Sequence, residues 1–239
     1  SLNFGSTDSK AGVVQPTIAT VNVHDAYVTK LNPAGSSFIY TTYLGGRNYD
    51  EGFGIAVDAD GNAYAVGDTE SDNFNTTGGF QTGYGGVRDG FIVKLNATAT
   101  ARLYASYIGG NSLDQARGVA LDTNRFAHVV GYTTSANFPV NNFVFGTINR
   151  GSGSASQDAF LVRVNAEGNV RLSSTFLGGT FNEWGTGVAV DANGNAYLTG
   201  YTESADFQTV NPLQATFSAA TDAFITKISN CEVTLSVSS

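Results

Sequence analysis

The chain has 239 residues, a formal net charge of −8 and 41% hydrophobic residues. The acidic charge argues against nucleic acids and anionic membranes as partners, and the hydrophobic content argues against a disordered chain. No apolar run reaches the roughly 18 residues that a membrane-spanning helix needs. With 29 Gly, only 4 Pro and 12% aromatic residues, the composition is typical of many short strands joined by tight turns.

The chain begins at Ser1, and we expect it to be a processed product or an excised region of a larger protein. Residues 2–7 match the second strand of a later unit, so the first unit should lack its innermost strand. The single Cys231 has no partner for an internal disulfide and predicts a free thiol, a bond to another chain, or a partner beyond the C-terminus of the given sequence.

The first complete unit contains four strand-like runs, at residues 54–58, 63–68, 89–95 and 103–108. The first run alternates small and large residues, with Gly54 and Ala56 on one face and Ile55 on the other. This pattern predicts an innermost strand with Ile55 buried, and likewise Val190 in the last unit.

The first two runs are joined by an Asp-x-Asp-Gly-Asn turn at residues 58–62. We expect a hairpin turn in which Asp58 caps backbone N–H groups. Asp58, Asp60 and Asn62 also alternate as at the start of an EF-hand loop, but no Glu stands at the twelfth position.

Two signatures repeat along the chain in a constant order. An Asp followed by an apolar run stands at positions 25, 89, 158 and 222, with spacings of 89−25 = 64, 158−89 = 69 and 222−158 = 64. Gly-Gly pairs at 45–46, 109–110 and 178–179 have the spacings 64 and 69. Four antiparallel strands in each repeat predict an all-β fold, a β-propeller of four blade units whose first unit is incomplete.

We place the propeller at residues 1–230. Residues 231–239 depart from the repeat, and we expect them to form a closing strand, a strand donated to another subunit, or the start of a further β domain.

These units resemble SBBP repeats, a bacterial β-propeller repeat family. The resemblance is carried by Tyr-Leu-Gly-Gly at 43–46, Gly-Ile-Ala-Val-Asp at 54–58 and Asp-Gly-Phe-Ile-Val-Lys-Leu at 89–95. At 124–128 the second complete unit departs from the pattern. The resemblance implies a secreted or cell-surface protein and carries no general activity.

Three acids lie four residues after the Gly-Gly pairs: Asp50, Asp114 and Glu183. In a ring they would gather on one face near the channel mouth, where they could bind a cation such as calcium, or sugar hydroxyls. Polar residues in the following loops add to this set, namely Ser71, Ser135, Ser204, Asn73, Asn137 and Asp206. The alternative is that these groups only cap turns at solvated loop ends.

Trp184 is the only Trp, and it stands beside Glu183. An exposed aromatic ring there could stack on a sugar, so Trp184, Glu183 and Glu51 are candidate ligand-binding residues; burial of Trp184 at a blade junction is the alternative. Four cations repeat with the units and are expected to keep their charge in water: Lys30, Lys94, Arg163 and Lys227.

Catalytic residues are not predicted. His24 and His128 have no nucleophile at a recognised motif spacing, and calcium is the only cofactor for which the sequence offers ligands. A pair of acids suited to glycoside hydrolysis would depend on the fold.

We therefore expect an extracellular or cell-surface propeller that works as a binding, adhesion or assembly module. The first alternative is a carbohydrate-binding lectin and the second is a polysaccharide-active enzyme. Expected partners are other surface proteins, glycans or copies of the chain itself, the last through strand exchange by residues 232–238.

Overall fold

The computed structural model describes residues 12–20, 23–141, 156–218 and 220–229. These residues form strands and no helix. The strands are β1 (Ala26–Leu31), β2 (Phe38–Leu44), β3 (Asp50–Val57), β4 (Ala63–Thr69), β5 (Asp89–Leu95), β6 (Arg102–Ile108), β7 (Asp114–Leu121), β8 (Ala127–Thr133), β9 (Asp158–Val164), β10 (Arg171–Leu177), β11 (Glu183–Val190), β12 (Ala196–Thr202) and β13 (Asp222–Ile228).

The strands pair antiparallel into four sheets, which we call blades 1 to 4. Blade 1 is β1–β2, blade 2 is β3–β6, blade 3 is β7–β10, and blade 4 is β11–β13. Blades 2 and 3 confirm the predicted four-stranded unit, in which neighbours along the chain pair in order. The inner strands β3, β7 and β11 lie side by side, and the sheets formed by the described residues follow one another in an arc that is not closed.

The hairpin turn at residues 58–62 is confirmed. One carboxylate oxygen of Asp58 accepts hydrogen bonds from the backbone N–H groups of Asp60 at 3.1 Å and Asn62 at 2.9 Å. Gly61 takes a φ of 82°, which an L side chain rarely adopts. The Asp side chain therefore satisfies the backbone groups that the tight turn leaves unpaired.

Small residues on the inner strands allow neighbouring blades to approach closely. A Cβ atom on Gly54 would lie 3.1 Å from the Arg117 carbonyl oxygen and 3.1 Å from the Cα of Gly118 on β7. Gly118 stands in the same relation to Gly187 on β11, at 3.5 Å. The small face predicted for the inner strand is the face that meets the next blade.

The prediction that Ile55 is buried is wrong, since its side chain is 56% exposed, and Val190 is only half-buried. Ile55 faces blade 1, of which the described residues supply only the outer pair β1–β2. The corresponding residue of blade 3, Val119, packs against the core that blades 2 and 3 share. Burial at this position thus depends on a complete preceding blade.

The hydrophobic core lies between blades, because each sheet is apolar on both faces. One cluster joins Tyr64 and Ile92 of blade 2 to Val129 and Phe160 of blade 3. A stacked phenylalanine pair repeats in blades 2, 3 and 4, with ring centroids 4.8 to 4.9 Å apart: Phe74–Phe91, Phe138–Phe160 and Phe207–Phe224. Each such pair joins the loop after the second strand of a blade to its third strand.

The prediction that the repeated cations keep their charge in water is wrong for Lys94, which is only 7% exposed. Its ammonium group lies 3.3 Å from the Ala166 carbonyl oxygen of blade 3, 3.8 Å from the Asp58 carboxylate and over the Tyr64 ring. Burial lowers its pKa from the usual value. Lys94 thus helps to join blades 2 and 3, whereas Lys227 of blade 4 is exposed.

The predictions made for residues 2–7, Cys231 and the tail at 231–239 fall outside the described residues.

Two isoleucines at the same repeat position test the open arc. Ile92 is fully buried by blade 3, whereas Ile225 in blade 4 is 82% exposed. We expect Ile92→Ala to lower the free energy of unfolding by about 2–5 kcal/mol, because it leaves a cavity between blades. Ile225→Ala should change it by less than about 0.5 kcal/mol in dilute protein. Denaturant unfolding of the two variants provides the measurement, and equal losses would contradict the open arc.

Candidate functional site

The chain crosses from the outer strand of one blade to the inner strand of the next through a Gly-Gly turn, and Asp50 holds this turn. Its Oδ2 accepts a hydrogen bond from the Gly46 N–H at 2.7 Å and another from the Ser71 hydroxyl at 3.0 Å. The Ser71 hydroxyl oxygen in turn accepts the N–H of Asn48 at 2.8 Å. We call this arrangement the crossover lock.

The crossover lock repeats at the other two Gly-Gly turns. Asp114 accepts hydrogen bonds from the Gly110 N–H at 2.7 Å and the Ser135 hydroxyl at 2.6 Å. Glu183 accepts them from the Gly179 N–H at 2.9 Å and the Thr202 hydroxyl at 2.6 Å. The remaining predicted polar residues complete the lock, because Asn73, Asn137 and Asp206 each accept a backbone N–H from the turn and Ser204 accepts the N–H of Phe181.

The structure therefore places Asp50, Asp114 and Glu183 in three separate blades, and all three are buried. Within the described residues, no three His, Cys, Asp or Glu side chains come close enough together to hold a metal ion. Three acids set apart in this way do not fit a single shared cation site. Calcium binding stays a prediction.

At each Gly-Gly turn a second carboxyl group lies close to the lock acid. The first glycine of the turn stands between the two carboxyl groups. A Cβ atom on Gly109 would lie 2.7 Å from Asp89 Oδ1 and 2.8 Å from Asp114 Oδ2. Burial, with the Asp114 charge adding to it, raises the pKa of Asp89 to about 7. Burial likewise raises the pKa of Asp50 to about 6, with Asp25 as a smaller cause. Glycine is needed at this position because a side chain would collide with both carboxyl groups.

A pocket of about 420 Å³ opens where the inner strands of blades 2, 3 and 4 converge. Its lining is mostly aromatic and includes one cation: Phe53, Arg117, Tyr132, Trp184, Gly185, Thr186 and Tyr201. The Trp184 ring stacks on Tyr201 with centroids 4.5 Å apart and meets Tyr132 edge-on at 6.3 Å.

Arg117 forms the opposite side of this pocket. Its guanidinium carbon lies 4.1 Å from the centre of the Phe53 ring and 5.5 Å from that of Tyr132. One guanidinium nitrogen donates a hydrogen bond to Gln115 Oε1 at 2.5 Å, and the Tyr132 hydroxyl donates to the same oxygen. The cation is therefore held in place by two rings and an amide.

The family model of the SBBP β-propeller repeat matches residues 39–75, 103–139 and 174–208. The chain is an SBBP repeat protein. Among curated proteins, no sequence matches it.

Each matched SBBP repeat contains a whole crossover lock. Residues 39–75 include β3, β4, Asp50 and Ser71, together with most of β2 in the preceding blade. The sequence repeat is therefore offset from the structural blade, since it begins in the outer strand of one sheet and ends after the second strand of the next. The residues that sequence reasoning proposed as a cation or sugar site are those that join two blades.

The pocket, by contrast, is formed where the three SBBP repeats differ. Glu51 pairs across the sheet with Asp68, Gln115 with Tyr132, and Trp184 with Tyr201. Of the three predicted ligand-binding residues, Trp184 lines the pocket, Glu183 is buried in a lock, and Glu51 is exposed outside the lining.

Sequence reasoning missed Phe53, Arg117, Tyr132 and Tyr201. A signal for Arg117 was present, because Phe53, Arg117 and Thr186 stand at one repeat position and share no chemistry. Each is the extra residue of a β-bulge in its inner strand, and bulges often redirect a side chain at functional sites.

His128 lies on the same face of β8 as Tyr132, four residues away along the strand, and is buried. Its Nε2 is 3.3 Å from Asp122, which also pairs with Arg163 at 3.1 Å. Burial lowers its pKa from the usual value. His128 replaces the tyrosine that contacts Asp58 in blade 2, so it occupies a repeated structural position rather than the pocket.

No helix in the described part of the chain is long and apolar enough to cross a lipid bilayer.

The buried acids predict how stability depends on pH. Asp89 has an unfolded pKa near 3.8 and a folded pKa of about 7. Between these values the folded protein binds the proton more tightly, so this contribution to stability is complete below about pH 4 and is lost as the pH rises through 7. We expect Tm to fall between pH 5 and pH 8, and to fall less in Asp89→Asn, whose amide keeps the shape without titrating.

Thermal unfolding across that pH range, followed by circular dichroism, measures the effect. Asp72→Asn removes an exposed carboxylate of the same blade and serves as the control. A pH dependence of Tm in Asp89→Asn equal to that of the unsubstituted protein would contradict the assignment.

Proposed function

We propose that this SBBP repeat protein is a non-catalytic assembly module, secreted or at the cell surface, in which the last blade of one copy packs against the first complete blade of the next. The observation that carries the proposal is an uncovered sheet face on blade 4. We call it the open face, and it consists of Tyr197, Thr199, Tyr201, Ile225 and Lys227, all of them exposed.

The same repeat positions are covered in the two preceding blades. Tyr64 and Ile92 of blade 2 are fully buried, and Leu161 of blade 3 is only 5% exposed, whereas Ile225 is 82% exposed. Contiguous exposed apolar surface of this kind is uncommon on monomers and marks interaction sites.

The contacts between neighbouring blades within the chain indicate what kind of surface would cover the open face. In blades 2 and 3 this face meets an inner strand whose apolar residues alternate, as Val119 and Leu121 do on β7. It also meets the turn of the next outer hairpin, where Lys94 reaches the Ala166 carbonyl oxygen. A partner for the open face should therefore offer an apolar inner strand and a turn carbonyl group for Lys227.

The first complete blade carries such a strand, β3, which follows blade 1 in the chain. Phe53, Ile55 and Val57 on β3 are 37%, 56% and 62% exposed, and the latter two occupy the repeat positions of Val119 and Leu121. One copy thus exposes a sheet face on blade 4 and, on a different surface, the inner strand of blade 2. The outer part of blade 2 is already covered by blade 1, whose Lys30 donates to the Ala97 carbonyl oxygen at 3.4 Å, so the contact between copies rests on the inner strand. A contact between unlike surfaces is head-to-tail and builds chains of subunits unless the rotation closes them into a ring.

Catalysis is the weaker candidate. The paired acids at the blade crossovers are buried in hydrogen bonds with backbone N–H groups and face a glycine rather than the pocket. A carboxyl group that acts on a glycosidic bond must reach the substrate. An activity screen on polysaccharides provides the check.

Two charge substitutions test the assembly. Ile225→Lys places a charge on the open face and Ile55→Lys places one on β3, and both positions are exposed in the single chain. We expect the unsubstituted protein to gain mass with concentration in sedimentation experiments, and each variant to stay at the mass of one chain, because burying an unpaired charge opposes the contact.

The mixture of the two variants is the sharpest measurement. Each variant keeps one intact surface, so an equimolar mixture should form pairs and stop at two chains. Val87→Lys, at an exposed position outside both surfaces, should assemble like the unsubstituted protein. A single-chain mass for the unsubstituted protein at every concentration would refute assembly between copies and leave some other partner for the open face.

A further inference from the structure

We propose that the aromatic pocket binds a saccharide that carries a carboxylate, with the sugar ring on Trp184 and the carboxylate on Arg117. The evidence for this site is the lining of the pocket, which shares Tyr201 with the open face. The site gives the module a ligand of its own.

The aromatic side of the pocket suits a sugar ring. Trp184 and Tyr201 are stacked at 4.5 Å, so one face of each ring covers the other and a ligand would meet an outer face of the pair. Tyr201 is 38% exposed. Thr186, also exposed, adds a hydroxyl group beside the pair. A ring with an apolar face and polar edges, such as a pyranose, matches a platform of aromatic rings bordered by hydroxyl groups.

The positive charge of Arg117 determines which charged ligands the pocket can accept. Aromatic pockets of this composition also bind quaternary ammonium ligands, through the faces of the rings. Here Arg117 already covers the Phe53 ring and lies near Tyr132, so a cationic ligand would meet a like charge. The pocket therefore favours an anionic ligand group.

Arg117 is also available for such a group. Within the described residues its guanidinium has a hydrogen bond to Gln115 and a long one, 3.4 Å, to Tyr132, but no carboxylate within ion-pair distance. Asp68 is close enough to feel its charge, yet that carboxylate pairs with Arg88 at 3.4 Å. A guanidinium fork is the side chain best suited to bind a carboxylate through two hydrogen bonds.

The volume of the pocket suits a small ligand, and its aromatic pair occurs in one described blade. A volume of about 420 Å³ lies in the range of small-ligand pockets, about 300–1,000 Å³. Among the three blades whose inner strands the structure describes, blade 4 alone offers the aromatic pair, because the corresponding pairs are Glu51–Asp68 in blade 2 and Gln115–Tyr132 in blade 3. We therefore infer one saccharide site in each chain rather than one in each repeat.

Trp184 provides the signal for the experiment, since it is the only Trp of the chain. The Ile225→Lys variant is titrated with oligosaccharides of galacturonate, glucuronate and sialic acid, and with their methyl esters, which keep the ring and remove the charge. We expect saturable changes in Trp184 fluorescence with at least one acidic oligosaccharide. Its ester should bind about tenfold or more weakly, as the loss of a charged hydrogen bond predicts.

Substitutions then test the two halves of the site. Arg117→Gln should bind the acid and its ester with similar, weakened affinity, while Arg47→Gln, at an exposed arginine outside the pocket, should leave binding unchanged. Trp184→Phe, followed by calorimetry, should weaken the acid and the ester by the same factor. Melting temperatures of all variants verify that they fold.

Equal binding of acid and ester to the unsubstituted pocket would overturn the role of Arg117. The absence of saturation with every acidic oligosaccharide would overturn the site as a whole. Neither result touches the assembly proposal, whose measure is the mass of the particle.

Discussion

The buried hydrogen bonds of the crossover lock are the constraint on which the rest of the structure depends. A carboxylate taken out of water must accept hydrogen bonds from other donors, and here the donors are the Gly-Gly turn and a hydroxyl group of the following loop. Because the turn leaves one blade and the acid opens the next, satisfying the carboxylate sets the position of one sheet against its neighbour. The close contacts between Gly54 and Gly118 then follow on the inner side.

Tyr201 belongs both to the open face and to the wall of the pocket. Its counterpart in blade 3, Tyr132, is only 8% exposed, because blade 4 covers it. A blade packed on the open face would cover Tyr201 in the same manner and reshape the pocket beside it. The assembly surface and the saccharide pocket therefore share Tyr201, and occupation of either one changes the surroundings of the other.

The repeat arithmetic alone predicted the fold well. The spacing of the Gly-Gly pairs, the strand runs and the turn capped by Asp58 are all found, because period-two patterns and turn chemistry act over a few residues. The burial of Ile55 could not be predicted in this way, since it depends on how complete the neighbouring sheet is. Lys94 was misjudged for a similar reason: the Ala166 carbonyl group that receives its ammonium lies 72 residues away in the chain.

The candidate site shows the same division. Regular repetition of Asp50, Asp114 and Glu183 suggested a binding site, yet these residues join the blades. The pocket instead arises where repetition fails, at Arg117 and Trp184, and its members come from three blades. Within a repeat protein, residues that join neighbouring units stay alike from unit to unit. Residues that make no such contact can differ.

The offset between sequence repeat and blade has a consequence for how such chains grow. Each matched segment, such as residues 39–75, carries both sides of one crossover: the end of an outer strand, the turn, the acid and the serine that secures it. A tandem duplication of the 64-residue period would therefore copy an intact junction along with the new sheet. When the arc gains or loses one unit, every remaining junction between blades keeps all its hydrogen-bond partners. The number of blades can therefore change in a single genetic step.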